Sequence, residues 1–528
     1  MERRKFISRL GQATLVPALV NGLSFRAFSL SPLLQALSAS SSEDHVLVLV
    51  QLNGGNDGLN TVIPLDQYSN LASARSNILI PDTMVLPLNG YLATGLHPAM
   101  TGMQQQFNSG KISIVQGVSY PSPNFSHFRA TDIWLTASDS NQTLNSGWTG
   151  RYLNYEYPNY PVGYPNVDMP DPLALQIGNT QSLALQGPTI NMGMTISDPD
   201  NFYNLVNGIQ DPAPANNYGH ELTYIRQVAQ QSMAYTTVIT AAAANITQQS
   251  NAWPAAGTNS LADQLKIVSQ LIAGGLKTKI YLVNLGGFDT HSDQVDNGST
   301  TSGKHAELLG KVSEAVNAFM TDCNFLGTAD RVVGMTFSEF GRRIISNGSS
   351  GTDHGSGAPM FLFGNKVQSG ILGSNPLIPS NATVDDNVAM QYDFRSVYAT
   401  LLNQWLCVPA ADLNQVMLQN FQLLPVIQSN ACTVDIHEIN SKAGQNLVSC
   451  YPNPFTERTS ITFTTQGGHA VVQVFNAEGQ LVKTLANGEY SPGTYKVDYE
   501  NENRGSGLYY LRLQNESIQQ VKNMEVVR

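Results

Sequence analysis

The segment His45 to Leu52 reads as a near-continuous apolar run, with glycines following at Gly54, Gly55 and Gly58. A run without polar alternation predicts a strand covered on both faces. Similar runs occupy Lys111 to Val115, Pro172 to Ile177, Lys279 to Leu285, Arg331 to Phe337 and Pro359 to Phe363. Between them apolar residues recur at spacings of three and four. Helices are predicted over Glu221 to Ile246, Ser260 to Ile272 and Lys304 to Asp322. The last places Leu308, Leu309, Val312, Ala315, Val316 and Phe319 on one face. Strands alternating with helices predict an α/β domain over residues 43–427, with a mainly parallel sheet flanked by helices. Ligands of such sheets bind beyond the carboxyl ends of the strands.

The pattern changes near residue 428. Residues 428–445 are polar and aperiodic and read as a linker. From 446 to 528 short alternating strands take over: Ser460 to Thr464, Ala470 to Phe475, Tyr495 to Tyr499 and Gly507 to Leu513, with a turn at Ser491 to Thr494. This predicts a small all-β sandwich.

The N-terminus has the layout of an export signal over residues 1–42. It has Arg3-Arg4-Lys5, a weak apolar stretch from Ala13 to Val20, and small residues from Ala36 to Ser42. The arginine pair favours the twin-arginine route. No later stretch is long enough to span a bilayer, so no transmembrane segment is expected in the mature chain. Only 13% of the 528 residues are charged, and the net charge is −11. An acidic chain argues against a nucleic-acid partner. The four cysteines, Cys323, Cys407, Cys432 and Cys450, contain no CxxC pair. A Cys432–Cys450 bridge across the linker and free buried thiols are both open readings.

Candidate chemistry concentrates just past predicted strand ends. Gly287-Phe288-Asp289-Thr290-His291 follows one strand, and Gly351-Thr352-Asp353-His354-Gly355 lies beyond another. Carboxylate and imidazole together are ligands for a divalent ion. Asp57 follows the first strand, and His305 opens the helix after the Asp289 loop. The candidate metal ligands are therefore Asp57, Asp289, His291, His305, Asp353 and His354. Singly, each also reads as a turn or capping residue. Ser126 follows the second strand and reads either as a nucleophile beside helix N–H groups or as a helix N-cap. His127 and Arg129 would donate to a leaving group or bind an anion. Arg342, beside Glu339, is a second anion-binding candidate.

Five strings then carry a resemblance: Leu52 to Asn60, Phe125 to Phe128, Gly287 to His291, Phe337 to Arg342, and Gly351 to Gly355. The core resembles the secreted bacterial family called domain of unknown function 1501. That family is similar in turn to the alkaline phosphatase and sulfatase superfamily. The resemblance implies one or two divalent ions (zinc, manganese or calcium) and a serine nucleophile at Ser126. It implies Asp57 as the first-strand ligand, Asp289 paired with His291 or His305, Asp353 paired with His354, and Glu339 as a ligand or close neighbour. The superfamily's late metal-binding histidine has no match, because only His437 and His469 follow His354. The implied function is an exported hydrolase of phosphate or sulfate esters, acting on a small or glycan-linked ester. The alternative is a non-catalytic surface binding or scaffold protein. The tail, with Tyr451 to Phe455 and Gly507 to Leu513, resembles a type A sorting domain of the type 9 secretion system of Bacteroidetes. That implies the export and type 9 secretion machinery as partners and a periplasmic passage to the cell surface or beyond.

Overall fold

The computed structural model describes residues 18–20, 23–25, 45–166, 168–178, 180–197, 235–429, 431–432, 448–465, 467–476, 480–501, 505–515 and 519–527. One compact unit spans Ser42–Cys432, and Thr433–Arg528 belong to another.

The first unit is built on a nine-stranded sheet. Its labelled strands are β1 (Val46–Asn53), β2 (Ile112–Ser119), β3 (Ala174–Ile177), β4 (Met194–Ile196), β5 (Ile280–Gly286), β6 (Val332–Phe337), β9 (Ala358–Phe363) and β10 (Gly370–Leu372). Between β6 and β9 comes a hairpin of β7 (Gly341–Ser346) and β8 (Thr352–Gly355), which forms a sheet of its own. The spatial order is β10-β2-β9-β6-β1-β5-β3-β4, and Tyr392–Asp393 pairs in parallel with β2. Only β9 runs against its neighbours, β6 and β2.

The apolar run of β1 explains its central place. Its side chains alternate between the sheet's faces. Leu47 and Leu49 enter one core cluster, and Val46, Val48, Val50 and Leu52 enter the other. Helices cover both faces. Helices α1 (Thr101–Asn108), α3 (Ser260–Ala273) and α4 (Lys304–Phe325) supply Met103, Leu265 and Leu309 to the second cluster. Helix α2 (His127–Thr136) supplies Ile133 and Trp134 to the first. This is the expected α/β architecture, with strand ends shifted by a few residues. Of the helix read over 221–246, residues 235–245 are helical, and 221–234 lie outside the described residues.

Core chain continues past 427: the Gln428 N–H donates to Lys366 O at 2.9 Å. Cys432 is disulfide-bonded to Cys407, closing a 25-residue separation. The pairing read across the linker is thereby corrected, because Cys432 is held to the core and Cys450 is free. Cys323 is a free, buried thiol. Most of the expected linker, residues 433–445, lies outside the described residues, as does the expected export signal apart from two three-residue strands.

The second unit has antiparallel sheets of three strands and of four. Ile461 and Phe463 from one, and Val472, Val474, Leu511 and Leu513 from the other, fill a shared core. It is the expected small all-β body. Among the described residues no helix is long and apolar enough to cross a membrane.

Candidate metal centre

Strands β6, β1 and β5 are adjacent and parallel, with Phe337 opposite Gln51 and Gly286 opposite Asn53. Their following loops therefore meet at one edge of the sheet. Glycine permits the closeness. A Cβ on Gly54, whose φ is +125°, would stand 2.3 Å from the Asp289 nitrogen. A Cβ on Gly351 would stand 2.3 Å from the His291 carbonyl oxygen.

Three imidazoles and one carboxylate converge there. His291 Nε2 lies 2.9 Å from His354 Nε2 and 3.4 Å from Asp289 Oδ1. His354 Nε2 is 3.2 Å from the same oxygen. His127, the first residue of α2, brings its Nε2 to 3.5 Å from Asp289 Oδ2.

The outer nitrogen of each ring fixes its tautomer. His127 Nδ1 faces Glu339 Oε1 at 2.9 Å, His291 Nδ1 faces Asp353 Oδ1 at 3.0 Å, and His354 Nδ1 faces the Phe125 carbonyl at 2.9 Å. Carbonyls and ionised carboxylates only accept. Each Nδ1 therefore carries a proton, and each Nε2 turns inward, toward Asp289 or a neighbouring ring. Two ring nitrogens 2.9 Å apart need a proton or a cation between them. Outer acceptors of this kind are how metal-binding histidines are held.

The donor set fits a small divalent ion. A metal at about 2.0–2.1 Å from its nitrogen and oxygen ligands holds them roughly 3–3.5 Å apart. His127, Asp289 and His354 each offer one ligand atom within 4.8 Å of the other two, and His291 Nε2 adjoins His354 and Asp289 at 2.9 and 3.4 Å. Nitrogen-rich ligation suits zinc, whereas calcium and manganese favour oxygen ligands.

Burial alone would raise the Asp289 carboxyl, but hydrogen bonds from Arg342 and His354 and the nearby positive charge hold it at about 2. Asp353 is also kept low, first by the Asn347 amide and then by His291, against a modest burial effect. Burial lowers His354, opposed by Asp289. Each shift favours the form that binds a cation: ionised carboxylate and neutral imidazole.

Other predicted residues take different places. Asp57 is buried beneath the ring with both oxygens on Arg75 Nη1, at 3.0 and 2.8 Å, and a further bond from Gln294 at 2.7 Å. It is an ion-pair anchor and not a ligand of this group. His305 is likewise buried, and its Nε2 contacts Asn56 Oδ1 at 2.9 Å. Burial lowers it to about 4, and it joins none of the ring contacts. Arg129 donates to the carbonyls of Asp139, Ser140 and Gln142, so it braces a loop. Arg342 is buried and donates to the carbonyls of Gly54, Gly55, Phe288 and Thr352 and to Asp289 Oδ1 at 2.8 Å. It positions the carboxylate rather than meeting a ligand. Glu339 accepts from Gly54 N–H at 2.8 Å as well as orienting His127. Ser126 is exposed at the N-cap of α2, and its hydroxyl makes no hydrogen bond among the described residues.

The sequence reads His127 as a donor to a leaving group or an anion ligand, whereas its Nε2 faces Asp289. Arg75, Gln294 and Asn347 went unread, since no string marks them.

A model of a secretion system C-terminal sorting domain matches residues 449–527. No curated protein matches. Among solved structures, one similar chain is a protein in the alkaline phosphatase superfamily from Vibrio parahaemolyticus. It has 7% identity and a TM-score of 0.33, and the match covers 100% of this chain and 92% of that one. Another is the PsFucS1 sulfatase from Pseudoalteromonas sp., with 9% identity, a TM-score of 0.33, and coverage of 87% and 85%. A third is a phosphonate monoester hydrolase from Silicibacter pomeroyi, with 8% identity, a TM-score of 0.28, and coverage of 91% and 89%. The model of the family described as protein of unknown function (DUF1501) matches residues 116–417, more than half of the chain, and the chain belongs to that family.

Proposed function

We propose that this protein is an exported, metal-dependent hydrolase of phosphate or sulfate esters, with one divalent ion held by His127, His291, His354 and Asp289. One observation carries the reading: each ring nitrogen Nδ1 is tied to an acceptor, so three Nε2 atoms turn toward one carboxylate. A bound ion would supply Lewis acidity toward an ester oxygen and ease deprotonation of a nearby hydroxyl. Ser126 is the nucleophile in this reading. It adjoins His127, is exposed, and caps a ten-residue helix whose first N–H groups favour an anionic group. Arg342 holds Asp289 ionised and in place. The sorting domain supports delivery toward the cell surface.

The test is to purify the mature protein, measure bound zinc and manganese, and assay aryl phosphate and aryl sulfate turnover. Ser126→Ala should abolish turnover and keep the metal. A protein that takes up neither ion, or turns over neither ester when loaded, defeats the proposal.

One observation favours the non-catalytic reading. Arg129 and Arg342, the arginines expected to meet an anionic ester, are both engaged by protein carbonyls. Glycan binding without turnover, unchanged in Ser126→Ala, would select that reading.

A further inference from the structure

Gln294 lies outside the ring yet touches the segments that build it. Its side chain is buried. The amide nitrogen donates to Asp57 Oδ2 at 2.7 Å. The amide oxygen accepts from the Thr290 hydroxyl at 3.1 Å and the Thr352 hydroxyl at 2.9 Å. Thr290 stands between Asp289 and His291, and Thr352 immediately precedes Asp353 and His354. Asp57 is fixed in turn by Arg75. The Gln294 carbonyl accepts from the His305 N–H at 3.1 Å, tying the same point to the start of α4.

Backbone bonds already lay the two ligand segments side by side: Thr352 N–H to Thr290 O at 3.2 Å, and Gln294 N–H to Ser350 O at 2.9 Å. The Phe288 N–H to Asn53 O bond at 3.1 Å and the Arg342 side chain tie them to the end of β1 and its loop, and the amide adds a link to Asp57. The chemistry at this point requires a donor toward a carboxylate and an acceptor toward two hydroxyls in one side chain. Glutamine meets both needs. Glutamate would set a second carboxylate against Asp57, and methionine would leave three buried polar groups without this partner.

We propose that Gln294 is a positioning residue for the metal centre. Its buried amide locks the Asp289–His291 segment to the Asp353–His354 segment and seats both on the Asp57–Arg75 ion pair. The inference rests on reading the ring as a site for a divalent transition ion. Removing such outer support lowers metal affinity by about 10–100-fold.

The experiment measures zinc affinity of the metal-free full-length protein by chelator competition, with thermal unfolding in parallel. Gln294→Met should bind zinc about 10–100-fold more weakly. Thr352→Val, a milder isosteric change, should weaken binding in the same direction, and Thr352→Ser should restore it by keeping the hydroxyl. The exchange Asp57→Asn with Gln294→Glu keeps one carboxylate and one amide donor facing each other, with an acceptor still toward both hydroxyls, and should recover most of the affinity lost in Gln294→Met. Ser269→Ala is the stability control, since it deletes a bond to buried Asp322 at 2.7 Å outside this network. Wild-type affinity in both Gln294→Met and Thr352→Val overturns the proposal while leaving the centre standing. So does a loss no greater than Ser269→Ala shows at equal destabilisation. Failure of the wild type to bind zinc or manganese removes the centre itself, and this role with it.

Discussion

Glu339→Gln isolates what a buried carboxylate does for a ligand it touches. Glu339 is almost fully buried, and its Oε1 accepts from His127 Nδ1 at 2.9 Å and from Gly54 N–H at 2.8 Å. Glutamine has the same shape and keeps an oxygen for both donors, so the loop after β1 should stay in place. What changes is the charge. A hydrogen bond to an ionised group contributes about 1.5–3 kcal/mol, against about 0.5–1.5 kcal/mol for a neutral one. The difference, about 1–1.5 kcal/mol, is realised when His127 gives electron density to a cation through Nε2. It converts to about tenfold in dissociation constant. Zinc competition on metal-free protein reads it directly, with the unfolding midpoint as control. The expected result is about tenfold weaker binding with a nearly unchanged midpoint. Equal affinity in the two proteins would refute the idea that Glu339 acts on the ion through His127.

Three further outcomes follow from buried groups and close contacts. Burial lowers His97 to about 3 and His305 to about 4, from 6.5, so both stay neutral when folded while the unfolded chain takes up protons. Stability is thus full above about pH 6.5 and falls toward pH 4 and below; unfolding midpoints against pH should show it, with a shallower slope in His97→Gln. Replacing Cys407 and Cys432 by serine frees a loop with a 25-residue separation and should cost about 3 kcal/mol in urea unfolding; an unchanged midpoint would show that the loop is held by other contacts. Gly351→Ala puts a Cβ 2.3 Å from the His291 carbonyl and should cost about 1–3 kcal/mol and weaken zinc binding; calorimetry and the competition assay check both.

How much of this was legible beforehand depended on whether a residue's partner was close in the sequence or distant. Strands β1, β5 and β6 were readable because a strand buried on both faces shows no polar alternation, and their apolar runs are unbroken enough to show it. The meeting of Asp289, His291 and His354 was legible because glycine-flanked Asp and His residues beyond strand ends are unusual in combination, whereas Asp353, read as a ligand, stands behind His291 at its Nδ1. Asp57 obeyed the same rule and was misassigned, since its counter-ion Arg75 comes from a helix, Tyr68–Arg75, that no motif aims inward. His127 shows the reverse error. Its orientation is set by Glu339, 212 positions away, and no local pattern reports that contact. Arg129 and Arg342 looked like anion ligands because an unpaired arginine is the default reading of a sequence; backbone carbonyls as partners are invisible there. Gln294 carried no signal at all, being an ordinary polar residue until folding brings two hydroxyls and a carboxylate to it.

The sulfur link to Cys407 has a mechanical consequence for the chain that leaves the α/β unit at Cys432. Traction on the sorting segment during secretion would reach Cys432 first. There it would pass through a covalent bond into Cys407, beside Trp405 of the apolar core. The intervening stretch, including the 413–417 helix, is shielded from that load. Hauling the protein by its tail would leave the α/β body undisturbed.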